Sequence, residues 1–309
     1  MIKIGIIGIG RVGAHIMYTL ALRGIADEIV LIDINEAKIA SEAQDMFDAS
    51  LYLSHKTKVK AGDYSDLTDC DIVISALGNP SLLTKTHDRN AELNFTVPII
   101  RDCVKKINES QFSGIFINAT NPNDVTTREF AKGLNLEEGQ VFGTGTGLDT
   151  ARLIAQLENT TGINAKSICA YMIGEHGNSQ ICPWSTVRFG GLSMREAGFD
   201  FDKKEVQDKA IQGGWVVFNG KACTEYAITC CVVEDVCAVL HDEKKIIPCS
   251  VQLHGEYGQN NVYVGVPCVV GRKGIEKIVE LNLTDQEQKA FVECCDSIRK
   301  KMKIADSII

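Results

Sequence analysis

A chain of 309 residues, 45% of them hydrophobic, is long enough for two sub-domains around an ordinary globular core. A formal net charge of −8 argues against nucleic acid and anionic membrane surfaces as partners, while leaving room for a small anionic substrate wherever arginines concentrate. Twelve cysteines are scattered with no C-x-x-C pair and no histidine cluster at metal-ligand spacing; with no signal segment or membrane-length apolar run, this reads as a cytoplasmic protein with reduced thiols and no metal.

Lys3 to Ile9 is apolar and β-branched without polar alternation, as in a strand buried on both faces of a parallel sheet. The turn Gly8-Ile9-Gly10-Arg11-Val12-Gly13 follows at once, then a helical pattern through Ala21 and a second apolar strand, Glu28 to Ile34, that carries Asp33. Asp33 lies twenty residues beyond Gly13, where the second strand of a βαβ unit brings a carboxylate to the adenosine ribose hydroxyls of a dinucleotide. The glycines permit a tight turn and close approach of backbone to a pyrophosphate at the helix N-terminus. Gly8, Gly10, Arg11, Val12, Gly13 and Asp33 are therefore the expected cofactor-binding set. An acid at position 33 repels a 2′-phosphate, which favours NAD over NADP.

A helical stretch from Glu36 to about Leu53, a short strand near Val59 and an apolar strand from Asp71 to Leu77 continue the alternation. The loop from Gly78 to His87, with Asn79 and Pro80, exceeds a minimal βα connection and reads as a lid, Gly78 facing the cofactor. A helix begins near Asp88 or Arg89. The next strand, Gly114 to Thr120, stops at Asn121-Pro122, which leaves the asparagine amide at the carboxyl edge where such sheets bind ligands. Val141 to Gly143 closes a first domain, 1–143; residues 144–309 form a second.

The second domain opens with a helix carrying Asp149 and Arg152 on one face, a spacing that by itself suits a surface ion pair. After the apolar run Ile168 to Ile173, Gly174-Glu175-His176-Gly177-Asn178 sets a lone histidine between glycines. Histidine titrates near neutrality, but alone it is more often structural; function requires a carboxylate, a cation and a cofactor from elsewhere. Trp184 to Phe189 reads as a strand, and Asp202 to about His241 as a helix interrupted at Gly213-Gly214. Each interior glycine costs about 1 kcal/mol relative to alanine, so the pair signals a kink or a need for space. Strands at Ser250–Gly255 and Val262–Val270 suit antiparallel pairing, and a helix capped by Thr284 runs to Ile309. The fold class is α/β, a doubly wound parallel sheet followed by an α+β domain with antiparallel strands.

Five motifs stand in order: Gly8-x-Gly10-x-x-Gly13 with Asp33, Asp88-Arg89, Thr120-Asn121-Pro122, Gly143 through Leu148-Asp149-Thr150-Ala151-Arg152, and Gly174 through Ser179. Together they resemble the NAD-dependent L-lactate/malate dehydrogenase superfamily over essentially the whole length, and within it most nearly the L-2-hydroxyisocaproate dehydrogenases. The resemblance implies a Rossmann-type NAD domain and a substrate domain, with a small 2-oxo or 2-hydroxy acid as partner and a homodimer or homotetramer as the assembly. It makes His176 the acid/base, Asp149 its orienting carboxylate, Arg152 the substrate-carboxylate anchor and Arg89 the lid cation. It also places Asn121 at the nicotinamide and substrate, and Thr224 at the pocket wall.

The departures concern specificity. Lactate-type relatives carry glutamine in the lid and malate-type relatives arginine, whereas this lid reads Ser81-Leu82-Leu83-Thr84-Lys85. Leu82 or Leu83 facing the substrate favours an apolar side chain, on the order of 2 kcal/mol or about thirtyfold for isobutyl over methyl. Lys85 reaching in instead would pair a second carboxylate. Gly213-Gly214 are consistent with added room for a branched substrate, and Asn123 and Asn178 also depart from most relatives. Ile154 and Cys169 replace the arginine and histidine of the fructose-bisphosphate-regulated enzymes, so no such control is expected. The expected activity is NAD-dependent interconversion of aliphatic or branched 2-oxo acids and L-2-hydroxy acids. L-Lactate dehydrogenase is the first alternative, malate dehydrogenase the second, and a non-catalytic dinucleotide-binding protein the rival.

Overall fold

The apolar run at the start of the chain forms β1 (Lys3–Ile7), and every residue of it is buried. This computed structural model describes residues 1–78 and 89–308, with the side chains of 89–91 outside the description. The first half alternates as expected: α1 (Arg11–Leu22), β2 (Glu28–Ile32), α2 (Glu36–Ala49), β3 (Lys58–Ala61), β4 (Ile72–Ser75), α3 (Arg89–Glu109), β5 (Ile115–Asn118), α4 (Asn123–Gly133) and β6 (Val141–Gly143). Its six strands pair in parallel in the order β3-β2-β1-β4-β5-β6. Both faces carry helices, which is why β1, β2, β4 and β5 are buried throughout rather than alternating.

The second half comprises α5 (Gly147–Thr161), β7 (Ile168–Cys169), β8 (Arg188–Phe189), β9 (Leu192–Ser193), α6 (Lys203–Lys221), α7 (Tyr226–Leu240), β10 (Lys245–His254), β11 (Asn260–Gly271), β12 (Gly274–Ile278) and α8 (Asp285–Ser307). Strands β7 to β9 make a small antiparallel sheet. The long antiparallel strands β10, β11 and β12 extend the parallel sheet to nine strands, Ser250 of β10 pairing with Gly143 of β6. The last helix begins at a capping box, Thr284 accepting from the Glu287 N–H while the Glu287 side chain accepts from Thr284.

Three expectations need correction. The helix read across 202–241 is two helices, and the break lies at Ala222, in the left-handed region at φ 63°, not at Gly213-Gly214, which stay helical. Trp184 to Phe189 is a 3-10 turn, Trp184–Thr186, followed by the two-residue β8. Strand β12 has no counterpart in the reading, because Glu276 and Lys277 on this half-exposed edge obscure the apolar pattern. The twelve cysteines are all free. Among the described residues no helix is long and apolar enough to cross a membrane, and no cluster of side chains could hold a metal ion.

Candidate active site

A cavity of about 260 Å³ opens at the carboxyl edge of the parallel strands, running from Gly10, Arg11 and Val12 at one end to Asp149, Arg152 and His176 at the other. The glycine-turn end is made of backbone. Gly8 has φ +93°, and a Cβ there would lie 2.8 Å from the Ala76 carbonyl oxygen; a Cβ on Gly13 would collide with the Gly8 carbonyl. Gly10 is the N-cap of α1, no side chain caps it, and the space its Cβ would occupy is open. Asp33 stands just behind the wall: its Oδ2 accepts the Ile9 N–H at 2.7 Å and its Oδ1 the Asn35 N–H at 3.0 Å. An uncapped helix start, an open glycine and a carboxylate at the end of β2 fit a dinucleotide. Arg11 turns to the other side of the groove, where Nη1 donates to the Lys221 carbonyl at 2.7 Å. Gly78 and Asn121 also line the cavity.

The histidine end is made of side chains brought from far apart. Thr146, the N-cap of α5, donates its hydroxyl to the Met172 carbonyl at 2.6 Å, and the Met172 N–H donates to Thr150 Oγ1 at 2.8 Å. These two bonds lay the segment before His176 against the start of α5. Ile173 and Ile181 then exchange backbone hydrogen bonds of 2.9 Å and close the loop 174–180, while Gly174 exchanges bonds with Gly265 of β11. Held in this way, His176 Nδ1 lies 2.6 Å from Asp149 Oδ2, and Arg152 Nη1 donates to Asp149 Oδ1 at 3.1 Å. The Asp149 side chain is 4% exposed, against 20% for His176 and 18% for Arg152. Burial pushes the Asp149 carboxyl up, but His176 and Arg152 beside it outweigh that and hold it below its ordinary value. Its place in the first turn of α5 favours the anion as well.

Of the other expected site residues, Asn121 is exposed on the wall and Thr224 half-buried there, beside the α6–α7 break. Arg89 opens α3, with its side chain outside the description; Leu82, Leu83, Lys85 and Asp88 lie outside the described residues. Gly214 lines the cavity, and a Cβ there would lie 3.2 Å from Arg152 Nη1, so the glycine leaves room for the guanidinium.

Behind His176 lies a layer of side chains to which the sequence assigns no role. Asp124 accepts the His176 backbone N–H at 2.9 Å and the Ser250 hydroxyl at 2.6 Å. Glu175 is bound by Lys301 of α8, accepts from Ser179 Oγ, and donates its N–H to Cys294 Sγ at 2.9 Å. Asn123 donates to the Asn118 carbonyl and accepts the Gly145 N–H, each at 2.9 Å, tying the end of β5 to the turn before α5. Asp124 lies two residues past Pro122 of the Thr120-Asn121-Pro122 motif, which is its only signal in the sequence; Ser250 and Lys301 carry none.

Sequence profiles of the lactate/malate dehydrogenases match the chain as an NAD binding domain over residues 2–143 and as an alpha/beta C-terminal domain over residues 146–308. An L-lactate dehydrogenase of Fusobacterium nucleatum is 35% identical over 99% of this chain and 97% of its own length. L-lactate dehydrogenase 3 of Bacillus anthracis is 36% identical over 97% of each. Among solved structures, the minor L-lactate dehydrogenase of Enterococcus mundtii superposes with a TM-score of 0.93 at 30% identity, covering 100% of this chain and 98% of that one. A lactate dehydrogenase from a Medee basin deep-sea metagenome library gives 0.92 at 30% identity, with 98% of each chain covered. The glycine turn, the His176–Asp149–Arg152 group and these matches agree: the chain belongs to the NAD-dependent lactate/malate dehydrogenase family, as an L-2-hydroxyacid dehydrogenase with NAD as its coenzyme.

Proposed function

We propose that this chain interconverts pyruvate and L-lactate, with His176 as the proton donor and acceptor. The observation that carries the reading is the Asp149 carboxylate, which binds His176 through one oxygen and Arg152 through the other on the wall of the cavity that the glycine turn enters. NADH, when bound, supplies the hydride that the carbonyl carbon receives. Gly10, Arg11, Val12 and Gly78 would hold the coenzyme along the cavity, with Gly8 and Gly13 shaping the turn and Asp33 at the ribose. Arg152 presents a planar guanidinium that can take the substrate carboxylate in a bidentate grip and so fix the 2-oxo group. Because Nδ1 of His176 is committed to Asp149, the proton that moves to the carbonyl oxygen is the one on Nε2. Asp149 stabilises the imidazolium before transfer and holds the ring for the reverse reaction. Asn121 and Thr224 on the wall orient the oxo acid, and Arg89 stabilises the oxygen as charge develops on it.

Pyruvate is placed first because the similar curated enzymes are named L-lactate dehydrogenases. A preference for longer aliphatic acids, with Leu82 and Leu83 at the side chain, is the second reading. It is supported by the apolar wall of Ile211, Trp215, Phe218 and Ile228. NADH oxidation followed with pyruvate, 2-oxoisocaproate, phenylpyruvate and oxaloacetate separates these readings. Pyruvate should give the highest kcat/KM; 2-oxoisocaproate ahead of it would favour the second reading. Oxaloacetate ahead by a wide margin would implicate Lys85, and no oxidation with any acid would overturn the catalytic assignment.

A further inference from the structure

Glu225 stands at the N-cap of α7, yet its carboxylate caps no backbone N–H there. Its side chain, 9% exposed, turns instead to basic groups from two other helices. Arg11 Nη1 of α1 and Lys221 Nζ of α6 each lie 3.4 Å away, and His15 Nε2 of α1 lies 3.8 Å away. Lys221 is also held over the Tyr226 ring at 3.8 Å, and its carbonyl accepts from Arg11 at 2.7 Å. One buried carboxylate therefore gathers the start of α1 and the end of α6 around itself.

The cluster borders the coenzyme end of the cavity. Arg11 is the first residue of α1, directly after the uncapped Gly10, and Ala222, Cys223 and Thr224, between Lys221 and Glu225, line the same cavity. The Cys223 thiol registers these charges: burial pushes it up and Glu225 adds to that, while Arg11 and Lys221 oppose. The helix start offers a pyrophosphate its N–H groups and dipole, and Arg11 offers a full positive charge. That charge is already engaged with a carboxylate.

We propose that Glu225 is a positioning residue for the coenzyme: it holds the Arg11 guanidinium across the groove, shares its charge with the pyrophosphate, and so weakens the grip on NADH and speeds its release. Two effects act in the same direction. A carboxylate on Arg11 lessens what the guanidinium can give to phosphate, and its own charge repels the same anion. A coenzyme exchanged at every turnover benefits, since release rather than chemistry is often the slow step. A Glu225 that served only to brace the α6–α7 break would carry the opposite signature, because its loss would weaken binding. This role requires the coenzyme along the cavity and is independent of which oxo acid is reduced.

The test is a fluorescence titration of NADH without oxo acid. Glu225→Gln keeps the shape and a hydrogen-bonding group but not the charge. Its NADH dissociation constant should fall roughly threefold to tenfold, the range expected when one like charge leaves a partly exposed site. Release of NADH, followed by stopped-flow displacement with excess NAD, should slow by about the same factor. The gain should shrink below about twofold in 1 M salt, where the screening length is about 3 Å. Arg11→Gln should weaken NADH binding, and in that background Glu225→Gln should retain only the direct repulsion, an effect of about twofold or less.

An unchanged or raised dissociation constant in Glu225→Gln would overturn the proposal, as would a gain undiminished by salt or by Arg11→Gln. If circular dichroism shows Glu225→Gln unfolded, Glu225→Asp decides instead. It withdraws the carboxylate from Arg11 by one methylene, and NADH should again bind tighter, by about twofold or more. Unchanged or weaker binding there would overturn the proposal equally.

Discussion

At the glycine-turn end of the cavity the recognising groups are backbone atoms from consecutive residues, Gly8 to Gly13, whereas at the histidine end they are side chains from α4, α5, the 174–180 loop, β10 and α8. The first is decided by local chemistry: Gly8 must adopt φ +93°, and Gly13 must lie against the Gly8 carbonyl. The second is decided by tertiary structure, since His176 meets Asp149 across 27 positions of sequence, Asp124 across 52, and Ser250 meets Asp124 across 126. At Gly8 and Gly13 the turn has no room for an added atom, while the chemistry of the histidine end depends on its charges and partners. Substitutions at the two ends should therefore fail in different ways.

The largest expected effect breaks the histidine end alone. Asp149→Asn should lower kcat by about a thousandfold, because the amide cannot stabilise an imidazolium, and should leave the NADH dissociation constant unchanged in a fluorescence titration. Next comes a stability contrast between the two carboxylates. Asp149 is depressed in the folded state, so it contributes stability above the ordinary carboxylate range that is lost as pH falls through its folded value. Asp124 is raised, from 3.8 to about 6, so the folded state holds its proton more tightly and the charge costs stability. That cost develops between about pH 4 and 6 and is constant above, up to about 3 kcal/mol. Urea melts of Asp124→Asn should accordingly show a gain over the parent at pH 8 that disappears near pH 4.

The glycine turn is tested by Gly13→Ala, whose Cβ collides with the Gly8 carbonyl. A strain of about 2 kcal/mol should weaken NADH binding roughly thirtyfold while kcat at saturating NADH stays close to the parent's. The smallest effect is expected where the two kinds of construction meet. Gly214→Ala would press a methyl group on the Arg152 guanidinium, raising KM for the oxo acid by roughly fivefold, or about 1 kcal/mol, with kcat and NADH affinity little changed.

This contrast also explains what could be read in the sequence. The parallel strands announced themselves as unbroken apolar runs, and the turn from Gly8 with Asp33 as a fixed spacing, because both are local. His176, Asp149 and Arg152 were named through family resemblance; spacing alone left the histidine structural and the Asp149–Arg152 pair on the surface. Asp124, Ser250 and Lys301 were missed because nothing in the chain near them shows that they converge on one loop. Gly213-Gly214 show the same limit from the other side. The need for space is legible, but Arg152, which lies against Gly214, is 62 positions away in sequence and is brought there only by the packing of α5 on α6.

The central claim is that the proton delivered to the carbonyl oxygen comes from His176. Its most direct test is the single-turnover rate of NADH oxidation by His176→Asn with pyruvate, measured beside NADH affinity. The account predicts a loss of about a thousandfold or more with NADH binding within twofold of the parent. A rate within about tenfold of the parent, at equal NADH binding, would contradict it.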